Sequence, residues 1–135
     1  MIKYQTLPEM LDRRARDADA IVYLEGEGAE KRLPLAELRK RALGILYHLQ
    51  RAGAQRGDHL ILHVSSNEQF IDAYWACLYG GIVHVPVTVG LSDEHKHKLL
   101  RIARQLGRPL LYTDAKLRDR LAAFARAGSA PSVMP

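Results

Sequence analysis

Residues Gly57–Pro86 read GDHLILHVSSNEQFIDAYWACLYGGIVHVP and pass from strand to helix to strand without a polar linker. His59 to Val64 is a short apolar run, and Ser65 to Asn67 is the turn out of it. Ser66 with Gln69 three residues on forms a capping box, so a helix starts near Asn67. Phe70, Ile71, Tyr74, Trp75 and Leu78 are expected to form its buried face. Gly80 and Gly81 end that helix, and Ile82 to Val87 follows as a strand rich in β-branched residues, with Pro86 near its end. Strand, helix and strand in immediate succession build a parallel sheet with covered faces, an architecture widely used for nucleotides and acyl or metabolite substrates.

The same alternation continues on the C-terminal side. Gly90 and Ser92 introduce a helix over about Asp93 to Leu106, with Leu99, Leu100, Ile102, Ala103 and Leu106 directed inward. Pro109 to Tyr112 is a further strand, and a last helix begins near Asp114 and carries Leu117, Leu121 and Phe124. On the N-terminal side, a long helix runs from Pro34 to about Arg51, with Leu35, Leu38, Ala42, Ile45, Leu46 and Leu49 at helical spacing, and Gly53 stops it. Before it, Ile21 to Leu24 and the charged turn Glu25 to Lys31 suggest a small hairpin, preceded by a helix from Leu7 to Ala18 with Thr6 as cap, Pro8 at its first position and Glu9 completing a capping box. The expected fold is a layered α/β unit over residues 1–128, a largely parallel sheet flanked by helices, with 129–135 a flexible or truncated tail.

Composition bounds the class. The chain has 135 residues, 47% of them hydrophobic and 26% charged, enough for one domain with its own core. Cys77 is the single cysteine, so no disulfide framework exists, and a reducing, cytoplasmic setting is expected. The N-terminal residues lack a secretory pattern, and no stretch is apolar enough to span a membrane. The formal charge of +5 permits acidic partners, but Arg13, Arg14 and Arg16 alternate with Asp12, Asp17 and Asp19, and Arg39 to Arg41 follow Glu37. Interspersion of this kind marks solvated helix faces, and the scattered tyrosines do not make a stacking surface, so nucleic-acid binding is not expected.

Candidate chemistry is sparse. Ser65, Ser66 and Asn67 sit at the carboxyl end of a strand, where open sheets bind ligands, and could donate to an anion; turn and cap duty explains them equally. Val87 to Ser92 occupies the second such position, with a single Gly90. Of the six histidines, His95 and His97 point to different sides of one helix, His63 and His84 lie on neighbouring strands, and His48 and His59 stand alone. Cys77 lies in an apolar helix and reads as a structural thiol. Glu68 and Asp72 share a helix face that reads as a solvated stripe rather than a hydrolytic carboxylate pair. No catalytic, cofactor-binding or metal-ligating residue is assigned.

Three segments nevertheless resemble a known family. LPLAELR at Leu33–Arg39, GDHLILHV at Gly57–Val64 and FIDAYWACLYGGIVHVPV at Phe70–Val87 look like the start of the adenylate-forming superfamily, which includes acyl-CoA synthetases, fatty-acyl-AMP ligases and the adenylation domains of nonribosomal peptide synthetases. LPLAELR departs from the early motif in placing Pro34 and Leu35 where a Thr-Tyr pair is usual, while ACLYGGIVHVPV matches the next motif. WACLYGGIVHVPV, KHKLLRIARQLGRP and LLYTDAKLRDRL give it the flavour of the fatty-acyl-AMP ligase-like adenylation domains of polyketide and nonribosomal peptide assembly lines.

The resemblance implies ATP- and magnesium-dependent activation of a carboxylic acid as acyl-AMP, followed by transfer to a carrier-protein thiol. It also implies that the phosphate-binding loop, the ATP-contacting segments and the catalytic lysine lie downstream of these motifs. The chain is therefore expected to be an N-terminal fragment, inactive alone and partnered in its parent by the remainder of the domain and a carrier protein. A non-catalytic docking module and a small α/β ligand binder are the alternatives. Exposed apolar surface would favour homo-oligomerisation, through the Phe70 to Leu78 region or an adjacent sheet edge.

Overall fold

A computed structural model describes residues 3–90 and 92–127, with the side chains of 124–127 excepted. The expected tail at 129–135 and the inward placement of Phe124 lie outside what is described. The chain runs α1 (Leu7–Arg14), β1 (Ala20–Leu24), β2 (Glu30–Pro34), α2 (Leu35–Arg51), β3 (His59–His63), α3 (Asn67–Gly80), β4 (Val83–Pro86), α4 (Asp93–Leu106), β5 (Leu110–Thr113) and α5 (Ala115–Ala127).

β1 and β2 form an antiparallel hairpin, Ala20 opposite Pro34 and Leu24 opposite Glu30. β3, β4 and β5 form a parallel sheet in the order β4-β3-β5, with Ile61 flanked by Val85 and Leu111. The central strand HLILH is apolar on both sides because both faces are covered. Leu60 and Leu62 pack with Leu46, Ala73, Ala76 and Cys77 of α2 and α3, whereas Ile61 packs with Leu99, Leu100 and Leu121 of α4 and α5. The period of two along β3 thus sorts its side chains between two helical layers. A third cluster, built on Leu11, Leu33 and Leu38, joins the hairpin and α1 to α2 and α3.

Two expectations are corrected. The first helix ends at Arg14 rather than near Ala18, because tight backbone turns follow and Arg14 pairs with Asp19, reversing the chain into β1. In α3 the most buried residues are Asp72, Ala73, Ala76 and Cys77, while Phe70, Ile71, Tyr74, Trp75 and Leu78 are only half-buried. The helix is sandwiched: Phe70 packs towards the sheet cluster, Ile71 and Trp75 towards the hairpin cluster. Small residues on the central stripe let α2 and α3 approach closely.

Within the Phe70 to Leu78 region, Phe70, Ile71 and Trp75 are half-buried and pack against the chain's own clusters. Among the described residues the large hydrophobic side chains that face solvent are Leu7, Val22, Leu24, Tyr47 and Val83, the last on the outer edge of the sheet. Among the described residues no helix is long and apolar enough to cross a membrane.

Candidate functional site

The carboxyl ends of β3 and β5 lie side by side, yet the chain leaves them in opposite directions. After β3 it enters α3, on the Leu60 and Leu62 face; after β5 it enters α5, on the Ile61 face. Divergence of this kind marks a strand-order switch point, the usual ligand position in open α/β sheets. His63 and Thr113 face each other in register at this split, with Nδ1 and Oγ1 3.2 Å apart. His63 is 7% exposed, and burial lowers its pKa against the opposing charge of Asp114, so its imidazole is neutral near pH 7. A neutral ring keeps one donor and one acceptor nitrogen, and Nδ1 is the one that meets Thr113.

The turns at this end of the sheet already have structural work. Ser66 Oγ accepts the Gln69 N–H at 3.3 Å, the cap its spacing predicted. Asp114 caps α5, its Oδ1 accepting the Leu117 N–H at 2.8 Å. Beyond β4, Ser92 Oγ accepts the His95 N–H at 3.3 Å, and the His95 ring lies flat against Gly90: a Cβ there would sit 2.2 Å from the ring. Gly90 is thus needed for close approach of a side chain rather than as a phosphate cradle.

The remaining histidines do not converge. His84 is in register with Leu60, on the face opposite His63, and sets its ring edge-on to Tyr74 at 4.7 Å. Among the described residues no three His, Cys, Asp or Glu side chains come together as metal ligands. Cys77 is fully buried and its thiol is pushed up to about 11 by burial, which makes it a poor nucleophile.

The polar cluster that sequence reasoning missed joins the hairpin to α2 and α3. Glu68 accepts Lys31 Nζ at 2.8 Å and Arg41 Nη1 at 2.6 Å, and Arg41 Nη1 also lies 3.5 Å from Asp72 Oδ2. Contact with Lys31 and then Arg41 holds the Glu68 carboxyl below its ordinary range. Asp72, 8% exposed, is raised by burial in spite of Arg41. Asp72 Oδ1 and the Tyr23 hydroxyl are buried without a hydrogen-bond partner. Beside the cluster a cleft of about 220 Å³ is lined by Tyr23, Leu24, Glu25, Ser66, Asn67 and Glu68.

The expected solvated stripe of Glu68 and Asp72 is therefore wrong. The available signal was periodicity: Asp72 and Ala76 are four apart, which sets the carboxylate on the helix's most buried line.

No family model matches the chain. A Caulobacter vibrioides protein provisionally assigned as an acyl-CoA synthetase is 31% identical over 134 residues, which cover 94% of this chain and 23% of that protein. Among solved structures, McyG A-PCP complexed with phenylalanyl-adenylate superposes with a TM-score of 0.87 at 28% identity, over 99% of this chain and 25% of that one. The adenylation domain of a keto acid-selecting NRPS module bound to keto acyl adenylate superposes with a TM-score of 0.85 at 26% identity, over 97% and 25%. The fatty acid AMP ligase of Legionella pneumophila shares the fold, with a TM-score of 0.77 at 22% identity over 98% and 27%. The chain spans about a quarter of the length of the relatives it matches.

Proposed function

We propose that this chain belongs to the adenylate-forming superfamily and forms the first α/β subdomain, residues 1–128, of an ATP-dependent acyl-adenylating enzyme. The parent reaction joins a carboxylic acid to the α-phosphate of ATP, releases pyrophosphate, and passes the acyl group from acyl-AMP to a carrier-protein thiol. The observation that carries the reading is the superposition of 99% of the chain, at a TM-score of 0.87, on a protein crystallised with an aminoacyl-adenylate. The A-PCP pairing in that protein supports a carrier partner. The branch we favour is fatty-acyl-AMP ligase-like, from the Trp75–Val87 and Lys96–Pro109 patterns.

Two of the turns described here do not suit a triphosphate. Asp114 places a carboxylate at the start of α5, where it would repel a triphosphate, and the His95 ring fills the space at Gly90. The subdomain's part is to supply rigid framework: its sheet, with helices on both faces, presents His63 and the strand ends at one rim.

Carboxylate-dependent exchange of pyrophosphate into ATP tests the reading. Over a panel of fatty, keto and amino acids, the native gene product is expected to support exchange with one acid class, and the 135-residue chain with none. A native product without exchange for any acid would overturn the assignment, and exchange by the 135-residue chain would overturn its framework role.

A further inference from the structure

The net charge of this protein is not spread over it. Residues 1–92 carry 11 Lys and Arg against 11 Asp and Glu, and residues 93–135 carry nine against four, so the whole formal charge of +5 lies in the second segment. The two halves also differ in how their cations are used. Around α1 and α2, Arg13 meets Glu9, Arg14 meets Asp19, Arg39 meets Asp12, and Arg41 and Lys31 meet Glu68. On α4, Lys98, Arg101 and Arg104 are exposed and none of them has an ion-pair partner among the described residues.

These three side chains recur at helical spacing on one side of α4, while Leu99 and Leu100 hold the other side to the sheet. These cations line two adjoining shallow grooves of about 440 and 600 Å³ that share Arg101 and Arg104, with Lys98, Ile102 and Gln105 in the first and Glu94 and His97 in the second. Past Glu94 the segment has no acidic residue until Asp114. The ridge is thus a one-sided basic surface about two turns long.

We infer that the exposed face of α4 is a docking surface for a separate protein that presents an acidic helix. Charge complementarity selects this occupant. A lipid surface would want large exposed apolar side chains beside the cations, and among the described residues the groove offers beside them only the half-buried Ile102. Single-stranded nucleic acid would want stacking aromatics, and α4 has no Phe, Tyr or Trp. A permanent packing partner would have to strip water from three cations at considerable cost, whereas a reversible partner pairs them at a solvated rim and gains association rate. Two guanidiniums one turn apart match carboxylates at three- and four-residue spacing on a facing helix.

The test uses the 135-residue chain and a synthetic amphipathic helical peptide with glutamates along one face, beside the same peptide with glutamines, measured by fluorescence anisotropy. The glutamate peptide should bind and the glutamine peptide should not, and Kd should rise about tenfold between about 50 and 300 mM NaCl. Lys98→Glu, Arg101→Glu and Arg104→Glu together should abolish binding. The exposed charge-matched variant Lys3→Glu, Lys40→Glu and Arg51→Glu should stay within about twofold of the parent. Equal loss in both triple variants would reduce the effect to net charge and overturn the proposal. So would tighter binding of polyuridylate or phosphatidylserine vesicles than of the glutamate peptide. Near-ultraviolet circular dichroism confirms that each variant is folded.

Discussion

Arg41 of α2 sets its guanidinium Nη1 2.6 Å from Oε1 of Glu68 on α3, a contact between residues 27 apart that ties the two most extensively packed helices together. The same nitrogen faces the buried Asp72, so one cation serves two carboxylates of unequal exposure.

Removal of that cation should cost more than a surface ion pair. Arg41→Met leaves Asp72 buried without its counter-charge, and a loss of about 2 kcal/mol is expected in urea unfolding. Adding Asp72→Asn should recover most of it, because the stranded charge is gone; an effect of Asp72→Asn that is the same with and without Arg41 would show that the two residues act independently.

The cluster also sets opposite pH trends. Asp72 is raised when folded, so its contribution is fully present below its unfolded value of 3.8 and is lost as pH rises through the folded pKa. Glu68 and Asp12 are lowered, Asp12 by the Tyr79 hydroxyl and then Arg39, so theirs are present above the unfolded values and lost as pH falls through the folded ones. Asp72→Asn should therefore stabilise the protein at pH 7, and the gain should shrink as pH falls towards about 4. Chemical unfolding at both pH values checks the sign, and a gain that grows on acidification would refute it.

Gly90→Ala should destabilise by about 0.5–1.5 kcal/mol, because its Cβ would lie 2.2 Å from the His95 ring and force that exposed side chain off its rotamer. In the His95→Ala background the same change should be nearly neutral. Thermal melts of the single and double variants decide between this collision and a backbone cause, which His95→Ala would not relieve.

At the edge of the sheet, Val83 and Val87 donate their N–H groups to Asp58 and Leu62, so the alternate residues His84 and Pro86 face outwards. Pro86 thereby removes one donor from an otherwise open edge that exposes Val83. Pro86→Val should restore that donor and raise the weight-average mass in concentration-dependent light scattering, and a second change, Val83→Lys, should reverse it. Equal masses for all three proteins would mean that this edge does not pair.

Much of this was legible along the chain because it depends on near neighbours. Ser66 caps α3 and Thr6 caps α1 at the positions their spacing announces, and Gly81 adopts the left-handed conformation that ends α3. The exact end of α1 was not legible, since it depends on Asp19 reaching Arg14 as the chain turns into the hairpin. Nor was the burial of Asp72: polar residues on a helix read as solvated until the hairpin is seen to close over them. The basic ridge of α4 was masked by an overall composition in which cations and anions looked evenly mixed.

The sequence by itself determined the order of elements, the parallel character of β3 to β5 and the family likeness, because periodicity, caps and short motifs are local properties. Only the tertiary structure decided where charge is paired and where it is left exposed. That outcome rests on distances between residues far apart in the chain: Lys31, Arg41 and Glu68 meet through packing of the hairpin, α2 and α3, whereas Lys98, Arg101 and Arg104 face outwards because Leu99 and Leu100 bind the other side of α4 to the sheet. The switch point at His63 and Thr113 arises in the same way, from the opposite directions in which the chain leaves two adjacent strands.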